Sequence, residues 1–115
     1  MIPKTRPISW ISPALKEFQT FPEGAKSICL TALTIAAEGG KAEIAKPMHG
    51  MGSGVFEIAL PFRGNAYRVV YAVQLAQAVW VVHAFQKKST QGIQTPAGEL
   101  ELVRERLKRL KETLS

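Results

Sequence analysis

Bulky and small side chains alternate along the middle of the chain. The alternation runs from Val55 to Phe62 and again from Tyr67 to Val73, which is the period of β-strands that bury one face. A third run, Val79 to Phe85, is almost continuously apolar, as is typical of a strand inside a sheet. Turn residues at Arg63-Gly64-Asn65 and at 74–77 separate the three runs. These short links predict an antiparallel meander.

Helical signals precede the meander. Ser12-Pro13 predicts the start of a short helix, and the pattern from Thr20 to Glu23 fits a capping box that opens a second one. The second helix is predicted to end at Gly39-Gly40, so that the two form a helical hairpin. Before the hairpin, Pro7 to Ile11 favours a first strand. After it, the glycine- and proline-rich stretch from Lys41 to Gly54 indicates a loop.

A last helix follows the meander and is predicted to open at Thr95-Pro96, a cap residue followed by proline. Its apolar residues recur every three or four positions, at Leu100, Val103, Leu107, Leu110 and Leu114. This stripe faces either the domain or a partner. The order β, α, α, β, β, β, α predicts one α+β domain spanning residues 1–115, with the helices on one face of the sheet.

The chain is basic, with a formal net charge of +6, which indicates an anionic partner such as nucleic acid, an acidic protein or a membrane surface. Most of the excess lies between Ile44 and Thr95, where five cations stand against one acid, Glu57. These cations are Lys46, Arg63, Arg68, Lys87 and Lys88.

The period of two places Glu57 and Arg68 on the sparse face of the sheet, which the predicted helices leave open. Arg68 is there either a solvated side chain that is paired with Glu57, or the centre of a shallow, positively charged concavity that would fit a nucleotide.

Four other side chains carry weaker signals. Cys29 lies in an apolar helical run and is interpreted as a buried structural thiol. His83, in the apolar third strand of the meander, is either a hydrogen-bonded core residue or a general base. Trp10 and Trp80 either belong to the core or stack on nucleic-acid bases.

Metal and membrane signals are absent from the sequence. No group of cysteine and histidine residues has metal-ligand spacing, so we expect neither a metal nor another cofactor. The sequence shows no apolar signal region at its N-terminus and no apolar run approaching about 20 residues. We therefore expect a cytoplasmic protein with no membrane partner.

Taken in order, several segments resemble the RelE/ParE toxin superfamily, and within it the HigB-like, phage-derived branch. The segments are Trp10, Phe21-Pro22, Lys46-Pro47, Gly50, Phe56-Glu57, Tyr67-Arg68-Val69-Val70-Tyr71, His83-Ala84-Phe85-Gln86-Lys87-Lys88-Ser89 and Thr95-Pro96 with the leucine-striped helix. The resemblance covers nearly the whole chain. It implies an α+β fold in which an N-terminal strand and a two-helix hairpin pack on a curved antiparallel sheet, with a C-terminal helix.

The superfamily consists of bacterial type II toxins, so the resemblance also implies an activity and partners. RelE-like and HigB-like members cut mRNA, usually on the ribosome, whereas ParE-like members poison DNA gyrase. A cognate antitoxin, often with a helix-turn-helix domain, neutralises them. The expected partners are therefore such an antitoxin together with mRNA and the ribosome.

The resemblance also assigns roles to individual residues. Arg68 matches the arginine that contacts the scissile phosphate in nuclease members. Lys87 and Lys88 fall where those members place a cation after the last strand, and the alternative reading, a pair of solvated cations at a strand end, fits them equally well. Glu57 matches the glutamate of the branch's aromatic-Glu-Leu-Arg motif, but Ala59 replaces the motif's arginine. RelE itself has a lysine where Glu57 stands, and its late tyrosine has no counterpart after Lys88.

These roles predict a metal-independent endoribonuclease. Arg68 would hold the phosphate, Glu57 or His83 would remove the proton of the attacking 2′-hydroxyl, and Lys87 or Lys88 would neutralise the phosphate or donate a proton.

Three further side chains are expected to contact RNA, namely Arg63, Lys46 and Tyr71. Two alternatives to a nuclease stay open, a ParE-like inhibitor that binds gyrase and a degenerate toxin that keeps only antitoxin or RNA binding.

Overall fold

The computed structural model describes residues 5–88 and 95–115, and of Lys88 it describes the backbone alone. These residues form five strands and three helices. They are β1 (Ile8–Trp10), α1 (Ser12–Gln19), α2 (Glu23–Ala37), β2 (Ala45–Pro47), β3 (Val55–Phe62), β4 (Asn65–Leu75), β5 (Ala78–Lys88) and α3 (Ala97–Leu114). None of the described helices is long and apolar enough to cross a lipid bilayer.

The five strands form one sheet in the order β1-β5-β4-β3-β2. β3, β4 and β5 are the predicted antiparallel meander, and β2 extends it antiparallel to β3. β1 pairs with the other edge, parallel to β5. Strand β2 lies in the stretch that the sequence indicated as a loop. That prediction was wrong because a three-residue strand is specified by its pairing with β3 and carries no period of its own.

The bulky face of the meander packs against the α1–α2 hairpin, as the alternation predicts. Tyr67, Val69 and Tyr71 of β4 are buried there together with Phe18 of α1 and Leu33 of α2. Cys29 is also buried in this cluster, and burial raises the pKa of its thiol to about 12. The thiol is therefore structural, as expected.

The opposite face of the sheet is covered by α3. The small apolar residues Val70, Ala72 and Val82 of the sheet pack against Val103 and Leu107 of the helix. The prediction that all helices lie on one face was wrong, because a leucine stripe shows that a helix is buried but not which surface buries it. Small side chains on the sparse face leave room for a helix to approach.

Two predicted caps are also wrong. The hydroxyl of Thr20 donates to the carbonyl of Glu17, at the end of α1, and does not cap the start of α2. Thr95 likewise does not cap α3, which has Pro96 in the capping position. The hydroxyl of Thr95 instead contacts Glu57 of β3.

Candidate functional site

The candidate site is built on the α3 face of the sheet, where strand register aligns polar residues in rows. Lys46, Glu57, Val70 and His83 are successive partners across β2, β3, β4 and β5. Directly paired residues lie on the same face, with side chains in contact range. The row therefore brings a lysine, a carboxylate and a histidine to one side of the sheet.

The next two rows supply the cations. Ala59, Arg68 and Phe85 are partners across β3, β4 and β5, and Ala66 of β4 pairs with Lys87 of β5. The small side chains of the two alanines leave the surface beside Arg68 open. Rigid strands hold both cations, so their positions are set by the backbone.

Arg68 is largely buried, with 7% of its surface exposed, and its contacts are specific. Its Nη1 donates to Oε1 of Glu57 at 3.2 Å and to the Thr95 hydroxyl oxygen at 3.4 Å. The Thr95 hydroxyl in turn donates to Oε2 of Glu57 at 2.7 Å. Both oxygens of the carboxylate are therefore engaged, and the guanidinium is oriented by two elements besides its own strand.

Lys87 lies close enough to Arg68 and Glu57 for their charges to change its pKa. Only 4% of its surface is exposed. Burial lowers the pKa of its ammonium group, the Arg68 guanidinium lowers it further, and Glu57 opposes both effects. A lysine whose pKa is lowered gives up its proton more readily, which is the property of a general acid.

A surface pocket of about 540 Å³ opens beside Arg68 and Glu57. It is lined by Arg68, Glu57, Lys46, Ile44, Ala59, Leu60, Pro61, Gly64, Asn65 and Ala66. Lys46 is an exposed cation of its wall. Arg63 lies in the adjoining turn with φ of 51°, and its guanidinium stacks over the ring of Phe62 at 5.2 Å. An anion that entered the pocket would meet Arg68 at its inner wall and Lys46 at its rim.

His83 does not open into this pocket. It is 3% exposed and lies beneath α3, where its Nε2 is 2.7 Å from Glu99 and its Nδ1 is 2.9 Å from Nη1 of Arg106. Burial lowers its pKa, and the hydrogen bond with Glu99 opposes this effect. Because His83 is buried beneath α3 and does not line the pocket, the structure favours the core reading of His83 over the general base.

The position of Tyr71 does not support the predicted contact with RNA. Tyr71 is 1% exposed on the opposite face of the sheet, stacked on Phe56 at a ring distance of 5.5 Å, and burial raises its pKa to about 12. The tyrosine belongs to the bulky set of β4, which explains its position. The side chain of Lys88, the other predicted cation, lies outside the described residues.

Thr95 is the site residue that the sequence did not indicate. It was interpreted as a helix cap, and its contact with Glu57 depends on where α3 crosses the sheet. The described residues contain no group of three or more histidine, cysteine or acidic side chains suited to hold a metal ion. The side chains that come together at the site are a guanidinium, an ammonium group of lowered pKa and a carboxylate.

Comparison with known proteins gives one family and one solved structure to which the chain is similar. The family described as "Phage derived protein Gp49-like (DUF891)" matches residues 16–108. No curated protein matches the chain. A mutant of the E. coli toxin RelE in the free state has a similar structure, with a TM-score of 0.62 and 24% sequence identity over 91% of this chain and 97% of that one. The fold that the sequence resemblance implied is therefore confirmed.

Proposed function

Because the chain belongs to the phage-derived Gp49-like family and has the RelE fold, we propose that it is the toxin of a toxin–antitoxin pair that cuts ribosome-bound mRNA. The carrying observation is that Arg68 and Glu57 line one open pocket, and that Lys87 is close enough for its charge to interact with both. A cognate antitoxin of the helix-turn-helix type would neutralise the activity. The chain would meet both this antitoxin and the ribosome-bound mRNA in the cytoplasm.

The three side chains support a cleavage that uses the RNA's own 2′-hydroxyl. Its oxygen attacks the adjacent phosphorus while the bond from phosphorus to the 5′-oxygen breaks. Glu57 accepts the proton of the 2′-hydroxyl, and Lys87 donates a proton to the leaving 5′-oxygen. The products are a 2′,3′-cyclic phosphate and a free 5′-hydroxyl.

Arg68 stabilises the extra negative charge on the phosphate oxygens in the transition state. A guanidinium binds two phosphate oxygens at once, which an ammonium group cannot do. In the absence of RNA its Nη1 is held by Glu57 and Thr95, so the group is already oriented when the phosphate arrives. Preorganisation of this kind removes the cost of arranging the charge during the reaction.

The test is induction of the chain in bacteria, with growth and RNA ends measured together. The wild type should arrest growth and produce mRNA fragments that start with a 5′-hydroxyl. Arg68→Ala should lower cleavage by about 100-fold or more, as expected for the loss of a transition-state contact. Arg109→Ala is the matched control, because Arg109 is an exposed arginine of α3 that pairs with Glu105 outside the pocket.

A second variant separates loss of chemistry from loss of fold. Arg68→Ala leaves the carboxylate of Glu57 without this cation, which destabilises a protein when the group is buried. Arg68→Lys keeps a positive charge beside Glu57 but cannot bind two oxygens, so it should fold and still cleave poorly. Full cleavage by a folded Arg68→Lys variant would exclude the proposed role. Growth arrest with intact mRNA and an induced DNA-damage response would favour gyrase as the target instead.

A further inference from the structure

A second cluster of cations lies away from the pocket, on one flank of α3. Arg104, Lys108 and Lys111 are spaced by four and three residues, so they share one face of the helix over about 10 Å. Together with Gly50 and Met51 of the loop after β2 and with Leu107, they enclose a depression of about 260 Å³. We call this set the loop–α3 flank.

Two glycines of the loop lie next to these cations. Gly50 and Gly52 have φ of 81° and 91°, a backbone conformation that other residues rarely adopt. A Cβ atom on Gly50 would lie 4.0 Å from Nη2 of Arg104, and one on Gly52 would lie 3.6 Å from Nζ of Lys111. The main chain of the loop and the cationic side chains therefore line the same small surface.

We propose that the loop–α3 flank is a second binding surface for the sugar–phosphate backbone of RNA, an inference that rests on the proposed function. Backbone phosphates are bound mainly by lysine and arginine side chains, and this surface carries three of them, Arg104, Lys108 and Lys111. Glu101 pairs with Arg104 at 2.8 Å, but both side chains are exposed and such a pair is weak enough for a phosphate to displace.

Charge composition favours RNA over a protein partner at this surface. Protein interfaces are depleted in lysine and built around an apolar centre. The loop–α3 flank has three cations and only Met51 and Leu107 as apolar lining residues, and both of these are buried in the core. A polyanion such as RNA therefore matches the charge of this surface better than an apolar side chain of a protein partner does.

The flank lies on the path that leads away from the candidate site. Thr95 contacts Glu57 at the site just before α3 begins, and Arg104 is seven residues, or about 10 Å, along that helix from Ala97. Lys46 lines the pocket, and its strand leads into the loop that carries Gly50. RNA held at Arg68 is thus within reach of the flank, which would bind phosphates several nucleotides away without reading their bases.

The test is direct binding of a labelled 20-nucleotide single-stranded RNA whose 2′-hydroxyls are methylated, so that it cannot be cut. The variant is Lys108→Ala combined with Lys111→Ala. The control is Lys16→Ala combined with Arg109→Ala, which removes the same charge from exposed positions elsewhere. Affinity is measured for each chain between 50 and 200 mM salt.

We expect the Lys108/Lys111 variant to bind roughly tenfold more weakly than the wild type, with the slope of log affinity against log salt reduced by about 1.4, or 0.7 for each lost phosphate contact. The control should stay within about twofold of the wild type. If the variant and the control are alike while the wild type binds RNA, the inference is overturned and the cleavage proposal stands.

Two more outcomes would also overturn the assignment. Wild-type affinity for polyglutamate equal to that for RNA of the same charge would show a surface for acidic proteins. No RNA binding by the wild type, with mRNA still cut on induction, would show that the flank is not used. Loss of cleavage in Arg68→Ala, with RNA binding that still weakens when Lys108 and Lys111 are replaced, would support the inference, because cleavage and binding at the flank are then separated.

Discussion

The hydroxyl of Thr95 donates a hydrogen bond to Oε2 of Glu57 at 2.7 Å and so joins the start of α3 to the strand that carries the candidate site. Arg68 completes a triangle with these two side chains. Its members come from β3, β4 and the residues that precede α3. The site is therefore assembled only when α3 covers the sheet, and its geometry and the stability of the fold are coupled.

Replacing Thr95 by valine tests this coupling, because valine has nearly the same shape without the hydroxyl. We expect Thr95→Val to lower the free energy of unfolding by about 1–2 kcal/mol, since a partly buried carboxylate loses a donor. Urea denaturation measures the change. Thr113→Val is the control, because that hydroxyl donates to the Arg109 carbonyl on the exposed face of the same helix. Equal losses in the two variants would show that Thr95 contributes no more than a surface threonine.

Lys87 is expected to act through its proton as well as its charge. Lys87→Met should lower cleavage by about 100-fold or more, the usual contribution of a general acid. Lys87→Arg keeps the charge but cannot release a proton near neutral pH, so it should recover only the contribution of the charge and stay well below the wild type. Single-turnover cleavage of an RNA substrate measures both. An arginine variant with nearly full activity would mean that the residue only neutralises the phosphate.

Stability should fall as the pH falls below the ordinary pKa of histidine, because of His83. The pKa of His83 in the folded chain is lowered from 6.5, by burial first and also by the charge of Arg106, while Glu99 and Glu17 oppose the shift. The unfolded chain therefore takes up this proton at a higher pH than the folded chain does. The contribution of neutral His83 to stability is therefore fully present above about pH 6.5. It decreases as the pH falls toward the lowered pKa of His83 in the folded chain.

Urea unfolding at pH 7.5 and pH 5.5 measures this effect. His83→Gln should show a smaller difference between the two pH values than the wild type, because it has no proton to take up at that position. His49→Gln, at an exposed position of the loop after β2, should keep the wild-type difference. A His83→Gln variant with the full pH dependence would assign the effect to other groups.

The meander and the pairing of Glu57 with its neighbours follow from local pattern, and this explains why much of the site was predictable. A period of two defines which face each residue of β3 and β4 occupies, so Glu57 and Arg68 were correctly placed on the sparse face. The alternation of bulky and small residues does not extend to β5. There the register shifts between Val70 and Tyr71, so that Val82 is an extra residue on that strand. Because this strand is an almost continuous apolar run, its sequence pattern does not indicate such a bulge.

Relations between distant segments were not predictable from the sequence. The leucine stripe of α3 predicts burial, but its position over Val70 and Ala72 follows from the space that small residues leave on that face. The contact of Thr95 with Glu57 depends on this position. Short strands such as β2 and polar contacts such as this one are consequences of tertiary packing, and a single sequence carries little signal for them.

Two glycines at equivalent positions of two helices should respond oppositely to alanine. Gly24 and Gly98 are each the second residue of their helix, α2 and α3. An alanine Cβ at position 24 would lie 2.6 Å from Cζ of Phe62, whereas at position 98 no heavy atom of the described chain lies within 4 Å. The ring of Phe62 also packs on Tyr67 and beneath Arg63, so it cannot move without losing contacts.

We expect Gly98→Ala to raise the free energy of unfolding by about 0.5–1 kcal/mol, because alanine restricts the unfolded chain and favours the helix. Gly24→Ala gains the same benefit but must displace the ring, so it should lower the free energy of unfolding by about 1–3 kcal/mol. Urea denaturation of both variants gives the comparison. Stabilisation by both would mean that Phe62 moves aside freely, and the packing of α2 on the end of β3 would then contribute less to the fold than its contacts indicate.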